Sequence, residues 1–142
     1  MNKKNVFEKA KSWYLKNKQF RRYFMSGSIA VLVNILIYIF LIKFFNTFYL
    51  SAATAGFFAS VVVGFLLQKF WTFGNRDLKR IIKQFPAYFF FVVVNLSIDA
   101  LISVFLLNYA HTGIVLSNII SNIIVIILGF YLYKHFVFRV RV

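Results

Sequence analysis

Residues 84–133 read QFPAYFFFVVVNLSIDALISVFLLNYAHTGIVLSNIISNIIVIILGFYLY. Between those ends the only acidic or basic residue is Asp99, apart from His111. A helix crosses the roughly 30 Å hydrocarbon core of a bilayer with about 20 apolar residues. The stretch is about twice as long as one crossing requires, so it must turn once. Asn108-Tyr109-Ala110-His111-Thr112-Gly113 is the polar, glycine-containing break near its middle. Working outward, Tyr23–Ile42 and Phe44–Gln68 are also free of charge. The pattern predicts four spans at about 23–45, 50–70, 86–108 and 114–136.

Composition agrees. Of the 142 residues, 61% are hydrophobic and 14% charged, and there is no Cys. A soluble domain averages about a quarter charged residues. A chain this short cannot bury so much apolar surface beneath a polar shell. The absence of Cys excludes disulfides and thiolate chemistry within the sequence. The net charge of +14 would suit a nucleic-acid partner, but the cations cluster between apolar runs. That pattern indicates a membrane surface with anionic lipids, and no nucleic acid.

Sixteen Lys and Arg lie in the N-terminal segment, the central loop with its flanks, and the C-terminal end, whereas the first loop has Lys43 alone and the third has none. The positive-inside rule puts both termini and the central loop in the cytoplasm of a multi-pass plasma-membrane protein. The composition and the lack of Cys suit a bacterial membrane. The basic lead is too long for a cleaved signal peptide, and no small-residue cleavage site follows the first apolar run. Segment 1–22 carries Val6, Phe7, Ala10, Trp13 and Tyr14 at helical spacing with lysines between them. It is expected to be a basic amphipathic segment on the cytoplasmic surface, ahead of a membrane domain at 23–142.

The chain also repeats itself. Lys18-Gln19-Phe20 recurs as Lys83-Gln84-Phe85, Tyr23-Phe24 as Tyr88-Phe89, Leu36-Ile37 as Leu101-Ile102, and Gly64-Phe65 as Gly129-Phe130. Lys69 pairs with Lys134 and Phe73 with Phe138, always at an offset of 65 residues. The fold class expected is an all-α integral membrane protein of two tandem helical hairpins, with repeat one at 18–73 and repeat two at 83–138. Two-span units inserted in the same orientation imply a pseudo-twofold about the membrane normal.

The second span closes in Phe65-Leu66-Leu67-Gln68-Lys69-Phe70-Trp71-Thr72-Phe73. With the basic lead and Asn34 inside span one, this resembles the GtrA-like family of small four-span proteins. The resemblance covers about 18–139; the second copy departs from it with His135 and Phe136 in place of Phe70 and Trp71. It implies handling of a polyprenyl-phosphate-linked sugar, alongside a membrane glycosyltransferase, in glycosylation of a surface polysaccharide such as teichoic acid.

Asp99 is the one acid inside a span, and a carboxylate there costs about 2.5–3.5 kcal/mol on insertion scales. Asn34 is its mate at the 65-residue offset; Asn95 lies one turn before it, and Asn122 should reach the same depth. These four are expected to line one polar interior patch that binds substrate, although interhelical hydrogen bonding would also explain the asparagines. Lys69 and Lys134, with Trp71, are expected at the headgroup level. Arg21, Arg22, Arg76 and Arg80, with Lys83 near them, join those lysines as candidates for phosphate, since Lys and Arg are its usual ligands. Ala52, Gly56, Ser60 and Gly64 form a small-xxx-small face for close helix packing or for a homo-oligomer.

No catalytic constellation, metal-ligand spacing or phosphate-cradling glycine loop is present, so the chain is expected not to be an enzyme and to need no metal or cofactor. The leading reading is translocation of an undecaprenyl-phosphate-linked monosaccharide. The alternative is a non-transporting scaffold that recruits or stabilises a polyprenyl-phosphate glycosyltransferase through the basic loop and the small-residue face. A small multidrug exporter shares the span count but would carry a Glu in span one, where this chain has Asn34.

Overall fold

The computed structural model describes residues 3–109 and 113–138, with side chains from 17 to 109 and from 113 to 138. Arg139, Arg141, His111 and the side chains before Asn17 lie outside the described residues, and with them parts of the charge pattern and the amphipathic face. The described chain is all helix and turn. Helix α1 is Lys3–Phe45, α2 is Tyr49–Leu67, α3 is Ile81–Tyr109 and α4 is Ile114–Leu132. A π-turn extends α2 over Gln68–Thr72 and another extends α4 over Tyr133–Val137; a 3-10 turn, Leu78–Arg80, leads into α3.

Four stretches are long and apolar enough to cross a membrane: Asn17–Phe45, Tyr49–Thr72, Leu78–Tyr109 and Ile114–Val137. They overlap the four spans read from hydropathy, with ends shifted by a few residues. The reason is the same at most ends: the helix continues into polar sequence, because its backbone hydrogen bonds need no apolar side chains. The largest extension is at the N-terminus, where the basic segment 1–22 and span one form one unbroken helix from Lys3. The bounds of α2 with its π-turn recur in α4 with its π-turn at the 65-residue offset.

The chain forms two compact units, residues 1–76 and 77–142. Each is a helical hairpin. In the first, α1 packs on α2 along the small-residue face: Ala52, Gly56 and Gly64 are buried, and a Cβ at Gly56 would stand 2.5 Å from Asn34 Oδ1 and 2.8 Å from Asn34 O. Only glycine lets the two backbones come this close. The small-residue stripe is therefore used inside the hairpin. In the second, α3 packs on α4 through Tyr88, Asn95, Ser117, Ser121 and Gly129.

Outward faces carry Leu, Ile, Val and Phe, as a lipid-facing surface must. Hydroxyls on them bond back to their own helix, as in Ser28 to Phe24 O, Thr54 to Leu50 O and Ser97 to Val93 O. Lipid offers no other partner, so this back-bonding removes the cost of an open hydroxyl.

Candidate functional site

The polar positions within the second unit are built on one face of α3. Asn95, Asp99 and Ser103 follow at one-turn spacing. Asn95 is 7% exposed, and its Nδ2 donates to Tyr133 Oη at 3.2 Å. The Tyr133 ring stacks at 4.8 Å on Tyr88, which also meets Phe138 at 6.3 Å. Ser103 and Ser121 share a hydrogen bond of 2.8 Å, and Ser103 donates to Asn118 Oδ1 at 3.4 Å. Three buried acceptors find no donor among the described residues: Gln68 Oε1 at the end of α2, and Asn95 Oδ1 and Asp99 Oδ1 on this face of α3. A buried acceptor left open costs about 1–3 kcal/mol, so this face holds hydrogen-bonding capacity that the hairpin does not use.

The other two members of the expected patch lie within their own units. Asn122 is exposed on α4 and donates to Asn118 O of its own helix at 2.7 Å. It is therefore not part of the α3–α4 interior. Asn34 belongs to the first unit, pressed against Gly56.

The candidate cations separate as clearly. Lys69 is 0% exposed. The π-turn carries its side chain inward, where Nζ donates to Asn75 Oδ1 at 3.2 Å and lies 5.8 Å from the Phe70 ring centre. Asn75 N in turn donates to Lys69 O at 2.8 Å, across a reversal that Gly74 makes at φ +63°, a conformation that favours glycine. Lys69 thus ties down the end of α2, with no exposed surface in this conformation. Its counterpart Lys134 is half-buried, 5.8 Å from the Phe130 ring centre. Arg22 is half-buried and donates to Trp71 O at 3.1 Å, with its guanidinium 6.0 Å from the Trp71 ring centre. Arg21 and Arg76 are exposed.

Arg80, with Lys79 and Lys83, borders a recess of about 700 Å³ where α3 begins and α4 ends. Its lining is Asp77, Lys79, Arg80, Lys83, Gln84, Ala87, Phe136 and Val137. Asp77 caps the 3-10 turn by accepting from Lys79 N at 3.1 Å and holds Arg80 Nε at 2.9 Å. Three cations thus face one carboxylate, above a floor of alanine, valine and an exposed phenylalanine. A volume of this size suits a small molecule rather than a bare ion.

Sequence reasoning grouped Arg80 and Lys83 with the headgroup-level cations and left Lys79 out. Spacing held no signal for Lys79, because all three look alike in a basic loop. Among the described residues no three His, Cys, Asp or Glu side chains gather as metal ligands.

Four helices long and apolar enough to cross a membrane, with a cation-lined recess in the second unit, define a small multi-pass membrane protein. Residues 22–138 match the family described as GtrA/DPMS, transmembrane domain, and the chain belongs to that family. It is 26% identical to the uncharacterized membrane protein YwcD of Bacillus subtilis (strain 168), over 82% of this chain and 94% of that protein. It is also 26% identical to the cell wall teichoic acid glycosylation protein GtcA of Listeria monocytogenes, over 84% of this chain and 83% of that protein. No solved structure gives a significant match.

Proposed function

We propose that this protein moves a polyprenyl-phosphate-linked monosaccharide, with undecaprenyl phosphate as the lipid, across the bacterial plasma membrane for glycosylation of a wall polymer such as teichoic acid. The observation that carries the reading is the cationic recess: Lys79, Arg80 and Lys83 around an apolar and aromatic floor. It offers charge-assisted bonds to the phosphate, an exposed ring to the sugar, and open lipid beside it for the tail. The family supports the polymer class, since its relative GtcA is named for teichoic acid glycosylation. The bias of Lys and Arg supports a cytoplasmic position for the recess, both termini and the central loop.

The route across uses the α3 face. A sugar hydroxyl entering lipid without partners costs several kcal/mol. Asn95 Oδ1 and Asp99 Oδ1 are acceptors that such hydroxyls can satisfy, and Ser103 extends the line. Lys134, half-buried in the π-turn after α4, serves the same headgroup level. A membrane glycosyltransferase on a separate chain uses the delivered sugar.

The alternative scaffold reading relied in part on the small-residue face, which is occupied inside the first hairpin. A proteoliposome assay of labelled undecaprenyl-phosphate sugar tests the proposal through a Lys79→Ala/Lys83→Ala variant. The double substitution is expected to lower the translocation rate at least tenfold without loss of insertion. A rate equal to wild type removes the recess from the mechanism.

A further inference from the structure

The two hairpins repeat at 65 residues, but of the recess lining only Lys83 and Gln84 keep their residue types, as Lys18 and Gln19. Ala87 occupies the position of Arg22, and Phe136 that of Trp71. In the first hairpin Arg22 runs along the helix end and donates to Trp71 O at 3.1 Å. In the second, an alanine methyl replaces that long cation, and both Ala87 and Phe136 line the recess of about 700 Å³. The cations beside the recess lie on the turn before α3 and on its first residues, at Lys79, Arg80 and Lys83. The counterparts of Lys79 and Arg80 in the first repeat are Tyr14 and Leu15; Lys83 alone keeps its type, as Lys18.

We infer that the repeats have divided their labour: the second hairpin alone holds the phosphate of a lipid-linked ligand, and Ala87 is the residue that makes room for it, whereas Arg22 fills the equivalent position of the first. This rests on the function proposed above and adds to it a single phosphate site per chain. The chemistry is that of an anionic phosphate ester. It is a lipid headgroup rather than free phosphate, because the floor is apolar and the recess borders lipid-facing residues such as Phe136, which is 63% exposed.

The position makes an unusual demand on a test by substitution. Adding a cation to a surface that merely attracts anionic lipid strengthens binding. Adding one at Ala87 fills the recess and weakens it. Undecaprenyl phosphate binding is measured in nanodiscs of zwitterionic lipid, for the wild type, Ala87→Arg and Ala87→Leu, with inorganic phosphate as competitor. Circular dichroism checks that each variant is folded, and Ala87→Ser keeps the test alive if the larger residues disturb the hairpin.

The expected results are saturation at one lipid per chain, a loss of tenfold or more in both bulky variants, near-wild-type affinity for Ala87→Ser, and weak competition by inorganic phosphate. Tighter binding by Ala87→Arg overturns the inference in favour of general surface attraction, as does a stoichiometry of two. Inorganic phosphate binding as well as the lipid also overturns it, since the ligand is then the free anion. If Ala87→Arg alters neither binding nor translocation while the wild type transports, the inference fails and the proposed function stands. If the wild type binds no undecaprenyl phosphate, both fail.

Discussion

At the scale of single residues, chemistry and accessibility part company. Lys69 has the charge and the repeat position of a phosphate ligand, yet it is buried against Asn75. An internal bond from an ammonium, once lost, leaves its acceptor with less than it had, at a cost of about 1–3 kcal/mol. Lys69→Met is therefore expected to lower the thermal midpoint in detergent while leaving headgroup affinity of the folded fraction within twofold. Loss of affinity at an unchanged midpoint would return Lys69 to the binding site. Asp99 shows the converse. Its identity and depth were plain from sequence, since no other acid lies in a span. That its Oδ1 lacks a donor could not be read there, because burial of one oxygen depends on how α3 and α4 pack. Lys79 went unremarked as a ligand because the recess it borders is lined also by Ala87, Phe136 and Val137, which carry no chemical signature in a sequence.

At the scale of elements, long uncharged runs made all four spans legible, and the turn residues divided the last run. The small-residue stripe was also visible, but whether it met α1 or a second copy was not. Gly56 against Asn34 settles that for the first hairpin. Gly56→Leu is expected to force α1 and α2 apart and destabilise the hairpin by about 1–3 kcal/mol, the usual cost of overpacking. A drop in thermal midpoint with no change in oligomeric state, read by light scattering in detergent, checks this. Dissociation of an oligomer at an unchanged midpoint would assign the stripe to contacts between copies. The π-turns at Gln68–Thr72 and Tyr133–Val137 had no sequence signal: their residues differ, and a wider turn needs no special side chain. Their closing bonds, Phe73 N to Gln68 O and Phe138 N to Tyr133 O, are both 2.9 Å. Such turns often mark functional positions, and here one of them turns Lys69 inward.

At the scale of the whole molecule, the account depends on which side of the membrane the recess faces. The chain has no Cys, so single cysteines report without background. Arg76→Cys is expected to resist a membrane-impermeant maleimide in intact cells and to react after permeabilisation. Phe48→Cys, in the first loop, is expected to react in intact cells. The reverse pattern would place the recess outside, where it could receive a lipid-linked sugar only after transport by another protein.

The most direct measurement is initial-rate translocation by the wild-type protein alone, in proteoliposomes loaded on one leaflet with a labelled undecaprenyl-phosphate monosaccharide. Exposure of the sugar on the opposite leaflet is followed with an impermeant probe, beside protein-free vesicles and an Asp99→Asn variant. The account predicts exposure well above the protein-free rate, reduced in Asp99→Asn. Exposure no faster than in empty vesicles, from protein that is folded and binds the lipid, would contradict it and leave the chain as a scaffold for its glycosyltransferase.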